Sequence, residues 1–164
     1  MGRPEQGKLD RRWRRYGWHM SSPILVAIDD SPRAQTVLSA AVKLAHIFKT
    51  PLVLCRVIAL PTAQFTTDGI PTGIDLQQEL EKLAMKDLEN IALGVPPDVE
   101  RRLITTLDVP WEGICEMAKA QNASLIVLGS HGYGGLDRLL GTTAAKVVNH
   151  AECSVLVVRD GWPA

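Results

Sequence analysis

Residues 125–148 read LIVLGSHGYGGLDRLLGTTAAKVV. An apolar run stops at Gly129, Gly132 follows three residues on, and Gly141-Thr142-Thr143 precedes an alanine-rich segment with helical character. Glycine lacks a Cβ, so backbone N–H groups at Gly129 and Gly132 can come close to a ligand. A helix opening at Gly141 would add free N–H groups and the positive end of its dipole, which attract an anion. The hydroxyls of Thr142 and Thr143 would supply further donors. Together these residues have the chemistry of a phosphate cradle. The alternative is plainer: Gly129 and Gly132 are turn residues and Gly141 caps a helix.

Neither of the two familiar phosphate-binding patterns is present. G-x-x-x-x-G-K-[ST] is missing, no lysine stands in the loop, and no G-x-G-x-x-G follows the first apolar run. With no base evident beside the phosphates, fast phosphoryl transfer lacks its usual parts. Asp29 ends an apolar run, where it could accept hydrogen bonds from ribose hydroxyls or cap the next helix. Val57 ends another, where its backbone could bond to a base. His131 lies in the glycine loop with no nucleophile or metal partner near it in sequence, which fits a solvated or phosphate-facing side chain. His150 fits the end of the last helix, where a cation is favoured. Trp111, beside Pro110, suits packing at a helix start. His19 and His46 carry no signal.

The elements that must position these residues alternate. Ile24–Asp29 is a continuous apolar run, as in a strand buried on both faces. Asp30-Ser31-Pro32 predicts a helix start, with an acid or hydroxyl cap and proline in the first turn. That helix should reach about Lys49 with Val37, Leu38, Ala41, Leu44, Ala45 and Phe48 inward. Leu52–Ile58 is a second strand, and residues 59–73, rich in Pro, Thr and Gly, read as a long loop. Leu76, Leu80, Leu83, Leu88 and Ile91 mark a core-facing helix ending near Gly94. Val99–Leu107 is a third strand, and Pro110 opens a helix with Ile114, Met117 and Ala118 inward. Ser124–Gly129 is the fourth strand, the helix after Gly141 turns Ala145 and Val148 inward, and Ser154–Val158 is the fifth. Apolar strands alternating with helices predict an α/β fold, a mainly parallel sheet covered on both faces. Ligands in such sheets bind beyond the carboxyl ends of the strands, where the connection order reverses.

With 164 residues the chain suits one domain, and 18 basic against 18 acidic side chains give no net charge. The balance hides an asymmetry. Arg3, Lys8, Arg11, Arg12, Arg14 and Arg15 face only Glu5 and Asp10 in residues 1–19, leaving the remainder mildly acidic and without broad electrostatic reason to bind nucleic acid. Residues 1–21 read as a disordered basic extension, and 22–160 as the folded domain. A basic-aromatic arm carrying Trp13 and Trp18 is the other reading of the extension. Cys55, Cys115 and Cys153 are far apart in sequence and set among apolar residues, so they read as small hydrophobes in a reducing compartment. No apolar run reaches membrane-spanning length, and the expected location is cytoplasmic.

Four stretches carry a family resemblance: ILVAIDDS, LCRVI, ASLIVLGSHGYGGLDRLLGTTAAKVVNHA and CSVLVV. Over residues 22–160 the chain resembles the universal stress proteins. The resemblance implies a five-stranded parallel sheet with helices on both faces, Rossmann-like and similar to the adenine nucleotide alpha hydrolases. It also implies homodimers, here through Val155 and Val157 of the last strand. One branch of the family binds ATP and is marked by G-x2-G-x9-G-[ST]. Carried over by position, adenine and ribose contacts fall at Ala27, Asp29, Val57 and Leu128, and phosphate contacts at Gly129, Gly132, Gly141, Thr142 and Thr143. The spacer from Tyr133 to Leu140 is one residue shorter than that pattern, with Gly134 and Gly135 giving it slack. Asp30 stands where glycine is common, and Arg56 where histidine is frequent.

The expected function is a stress-response or signalling module that holds ATP, AMP or ADP, with Mg2+ carried only on the phosphates. It would regulate a protein partner and do little chemistry itself. A slow ATPase using the same pocket and a dimeric scaffold that binds no nucleotide are the alternatives. The exposed glycine backbone argues against the scaffold.

Overall fold

The computed structural model describes residues 22–59, 73–130 and 140–159. The elements run β1 (Ile24–Ala27), α1 (Ala34–Phe48), β2 (Leu52–Ile58), α2 (Gly73–Ala92), β3 (Arg101–Leu107), α3 (Pro110–Ala120), β4 (Leu125–Gly129), α4 (Thr142–His150) and β5 (Ser154–Val158). All five strands are parallel, in the order β3-β2-β1-β4-β5. The fold is therefore the five-stranded parallel α/β sheet expected from the alternation of elements.

Each strand alternates its side chains between two apolar layers. Ile24, Val26, Leu52, Leu54 and Val127 pack with Val37, Leu38, Ala41 and Ala45 of α1 and Leu88 and Ala92 of α2. Leu25, Val53, Cys55, Ile126 and Leu128 pack on the other side with Ile114, Met117 and Ala118 of α3 and Ala144 and Val147 of α4. Burial on both faces explains why these strands are apolar without alternation. It also pushes the Cys55 thiol up to about 12, so this cysteine stays neutral and acts as core. Cys115 and Cys153, distant in sequence, join the edge of the second layer as free thiols. No helix among the described residues is long and apolar enough to cross a membrane.

Several local expectations are corrected. β1 stops at Ala27, so Asp29 lies beyond the strand. α1 begins at Ala34, not at Pro32: the Ala34 amide donates to the Ser31 carbonyl at 3.1 Å, making a separate turn before the helix. Phe48 is 60% exposed, while Ala40 is fully buried in its stead. β3 starts at Arg101, two residues later than its apolar onset suggested. α2 begins at Gly73, and the rest of the anticipated loop, residues 60–72, lies outside the described residues. On α2, Leu88 is buried but Leu83 is 52% exposed. α4 buries Ala144 and Val147, whereas Val148 is 46% exposed. The helical spacing on α4 was right and its phase off by one residue, because AAKVV offers the same small-then-branched pattern in two phases.

Candidate functional site

β1 and β4 are neighbours at the centre of the sheet, and their outgoing connections leave on opposite faces. β1 leads to α1 on the α1/α2 side, and β4 leads to α4 on the α3/α4 side. A crevice opens where two such connections diverge. Its floor is the last rung of the ladder, where Ala27 pairs with Leu128 on one side and Cys55 on the other. Leu128 is buried, Ala27 and Gly129 are half-buried, and Asp29 is exposed at the mouth.

The short β1 creates the most informative geometry. Its ladder with β2 ends at Ala27–Cys55, followed by one more bond from the Ile28 amide to the Cys55 carbonyl at 2.9 Å. In a parallel ladder, the N–H and C=O of one residue face the same neighbouring strand, and successive residues alternate. Cys55 therefore faces β1, and so does Val57 two residues on. Ile58 faces β3, as the bond from the Asp108 amide to its carbonyl confirms. The Val57 peptide groups thus point into the lane that β1 has left.

The turn after β1 is held at several points. The Asp29 Oδ1 accepts from the Ser31 amide at 3.1 Å and from the Ser31 hydroxyl at 2.6 Å, so the turn is closed by its own acid. Arg33, not Asp29, occupies the cap position of α1, and it makes no side-chain capping bond there. Asp30 forms an ion pair with Arg56, whose other terminal nitrogen lies 3.6 Å from Asp87 on α2. The Arg56 side chain is only 12% exposed between these two carboxylates. Across the crevice, Arg33 donates to the Ser130 carbonyl at 2.7 Å, and the Ser130 amide donates to Val158 at 3.0 Å. Ser130, the last described residue before the glycine-rich stretch, is therefore tied to both Arg33 and β5.

The glycines fare differently. A Cβ on Gly129 would stand 3.3 Å from the Val37 side chain, so its bareness lets α1 approach β4 closely. Gly141 is buried at the cap position of α4 and makes no side-chain cap, while its carbonyl accepts from the Ala145 amide at 2.9 Å. With no capping side chain at Gly141, the first-turn amides of α4 lack the usual side-chain acceptor. Thr142 is exposed and Thr143 half-buried beside them. Gly132 and His131 lie outside the described residues.

Three participants were not legible as such in the sequence. Arg33 and the Asp30–Arg56–Asp87 set gather residues from separate elements, and only the oddity of Asp30 and Arg56 hinted at them. Gly113 on α3 is the third: a Cβ there would meet both Val57 γ-carbons at 3.0 and 3.1 Å. Beyond the end of β2 a cavity of about 420 Å3 is lined by Asp30, Arg56, Val57, Ile58, Ala59, Leu80, Leu83, Ala84 and Asp87. Away from the crevice, Trp111 packs on α4 as expected, its ring 4.7 Å from that of His150 and 5.5 Å from the Lys146 ammonium. Among the described residues, no three His, Cys, Asp or Glu side chains are grouped to hold a metal.

The sequence profile of the universal stress protein family matches residues 20–159. Universal stress protein A homolog 1 of Coxiella burnetii is 38% identical over 136 residues, spanning 82% of this chain and 94% of its own length. Among solved structures, universal stress protein UspA from Lactobacillus plantarum is similar at 28% identity and TM-score 0.65, over 87% of this chain and 100% of that one. The universal stress protein from Archaeoglobus fulgidus in complex with dAMP shares the fold at 24% identity and TM-score 0.54, over 85% of this chain and 99% of that one. With its parallel sheet order and these matches, the chain belongs to the universal stress protein family.

Proposed function

We propose that the chain is a nucleotide-binding module of stress-response or signalling type, holding ATP in the crevice between β1 and β4 and doing little chemistry itself. The observation that carries this reading is the lane left by β1. There the Val57 peptide offers a donor and an acceptor spaced to meet the N1 and N6 edge of adenine. Asp29, in the turn that follows β1, would accept from ribose hydroxyls. The α4 N-terminus, with Gly141, Thr142 and Thr143, suits the phosphates, and Gly129 and Gly132 lead into it. Ala27 and Leu128 form the floor. The dAMP held by the Archaeoglobus fulgidus relative supports an adenine nucleotide as the ligand class. The donor set of the described residues fits a nucleotide but offers no carboxylate cluster to a cation, so Mg2+ would enter on the phosphate oxygens.

The test is direct. Purified protein, denatured and examined by mass spectrometry, should release an adenine nucleotide, and calorimetry should show ATP, ADP or AMP binding to the emptied protein. Asp29→Ala should weaken ATP by about tenfold or more, the worth of a hydrogen bond to a charged group. The same change should weaken 2′,3′-dideoxy-ATP less, by only what the loosened Ser31 turn costs both ligands. No released nucleotide and no heat with any of the three would end this reading and favour the scaffold.

The edges of the sheet point to assembly. β3 at one edge carries Arg101, Arg102, Thr105 and Thr106, whereas β5 at the other is SVLVV. An apolar, unguarded edge strand is a pairing surface. The reading includes a symmetric homodimer through β5, centred on Val155 and Val157. Val157→Lys should run as a monomer in light scattering. A dimer of unchanged mass would put the interface elsewhere.

A further inference from the structure

We infer that the base end of the crevice accepts adenine nucleotides carrying an apolar or aryl group on the exocyclic N6 amine, with that group seated in the cavity between β2 and α2. The inference rests on the nucleotide reading above and names a narrower ligand class for the same site. Strand polarity carries it. Along β2 the Val57 N–H precedes its C=O, so a base donating N6–H to the carbonyl and accepting at N1 from the amide has N6 on the Ile58 side. The second N6 hydrogen then points toward Ile58 and Ala59. Those two residues line the cavity of about 420 Å3, which Leu80, Leu83 and Ala84 of α2 complete.

Chemistry agrees with the direction. Ile58, Ala59, Leu80, Leu83 and Ala84 give the cavity an aliphatic side beside the charged Asp30, Arg56 and Asp87, and its volume falls within the range of small-molecule pockets. Adenine alone presents only that one N6 hydrogen to the wall and leaves its aliphatic part uncovered. Arg56 also lines the cavity, its guanidinium fixed between Asp30 and Asp87 rather than swinging in solvent. A fixed guanidinium is a stacking partner for an aromatic ring, so an aryl substituent gains more there than an alkyl one.

N6-benzyl-ATP against ATP, by calorimetry on the full-length protein, tests the idea. The expected result is that N6-benzyl-ATP binds at least as tightly as ATP. Filling the cavity with Ala84→Phe should leave ATP within about threefold and weaken N6-benzyl-ATP by more than tenfold. Leu80→Trp serves the same purpose should Ala84→Phe fail to fold. Loss of N6-benzyl-ATP binding by wild type that still binds ATP overturns this inference alone. Equal binding of N6-benzyl-ATP by wild type and a folded cavity-filled variant also overturns it, since the substituent then points to solvent. Binding of neither nucleotide removes the parent reading with it.

Discussion

Gly132→Val should abolish ATP binding while adenosine binding and the melting temperature stay close to those of wild type. Gly132 lies three residues past Gly129 in the sequence and two past Ser130, which is fixed by Arg33 and β5. A branched side chain there adds bulk on the proposed path of the phosphates, and adenosine has none to obstruct. Gly132→Ala should weaken ATP less. Thr142→Ala, which leaves the α4 N-terminus in place, should cost about 1–2 kcal/mol of ATP affinity through a lost bond to charged oxygen. Calorimetry with both ligands and melting curves of the ligand-free variants separate the cases. Equal losses for ATP and adenosine, tracking lost stability, would return the loop to being a turn.

Gly113→Val should have the opposite signature, a large loss of stability with binding of ATP and adenosine impaired alike. A bare Cβ at this position already meets Val57 Cγ1 at 3.0 Å, Val57 Cγ2 at 3.1 Å and Asp108 Cβ at 3.1 Å. Rotating Val57 frees only one of its two methyl contacts and leaves the one to Asp108 untouched, so full relief requires α3 to lift from β2. Overpacking of this kind costs about 1–3 kcal/mol. For Gly113→Ala, a helix-propensity gain of about 1 kcal/mol offsets part of that cost, leaving a small net loss. Valine adds two methyls and forfeits most of the propensity gain, so about 3 kcal/mol is expected in urea unfolding. Pairing Gly113→Ala with Val57→Ala should recover much of the loss, because the two residues share one contact. Additive losses in that pair would show that Val57 is not what Gly113 makes room for.

The contrast between these two glycines shows what the sequence could and could not disclose. Gly132 is conspicuous because it stands in a row of glycines after an apolar strand. Gly113 sits inside a helical pattern, and its reason is a valine 56 positions away that only the folded sheet brings beneath it. The alternation of apolar runs and helical stripes made the sheet legible, since burial on both faces leaves a strong mark on composition. Phase was harder to read. AAKVV permits two inward faces, and the choice of Ala144 and Val147 depends on how α4 meets the sheet. Asp29 was readable as a strand-end acid, but not its commitment to Ser31, which rests on a turn that the Asp30-Ser31-Pro32 cap signal disguised. Arg56 was noticeable as an odd residue, whereas its two carboxylate partners come from elements that sequence spacing does not connect.

The shortness of β1 has a consequence for how ligand preference could drift over evolutionary time. Whatever docks beside Val57 meets peptide groups whose direction is fixed by strand parity, and no side-chain exchange at that position reverses donor and acceptor. A switch of base would require the strand to shift register by a residue, which would also turn Leu54 and Cys55 out of their layers. Under the proposed reading, base preference at this spot would thus be protected by the core itself.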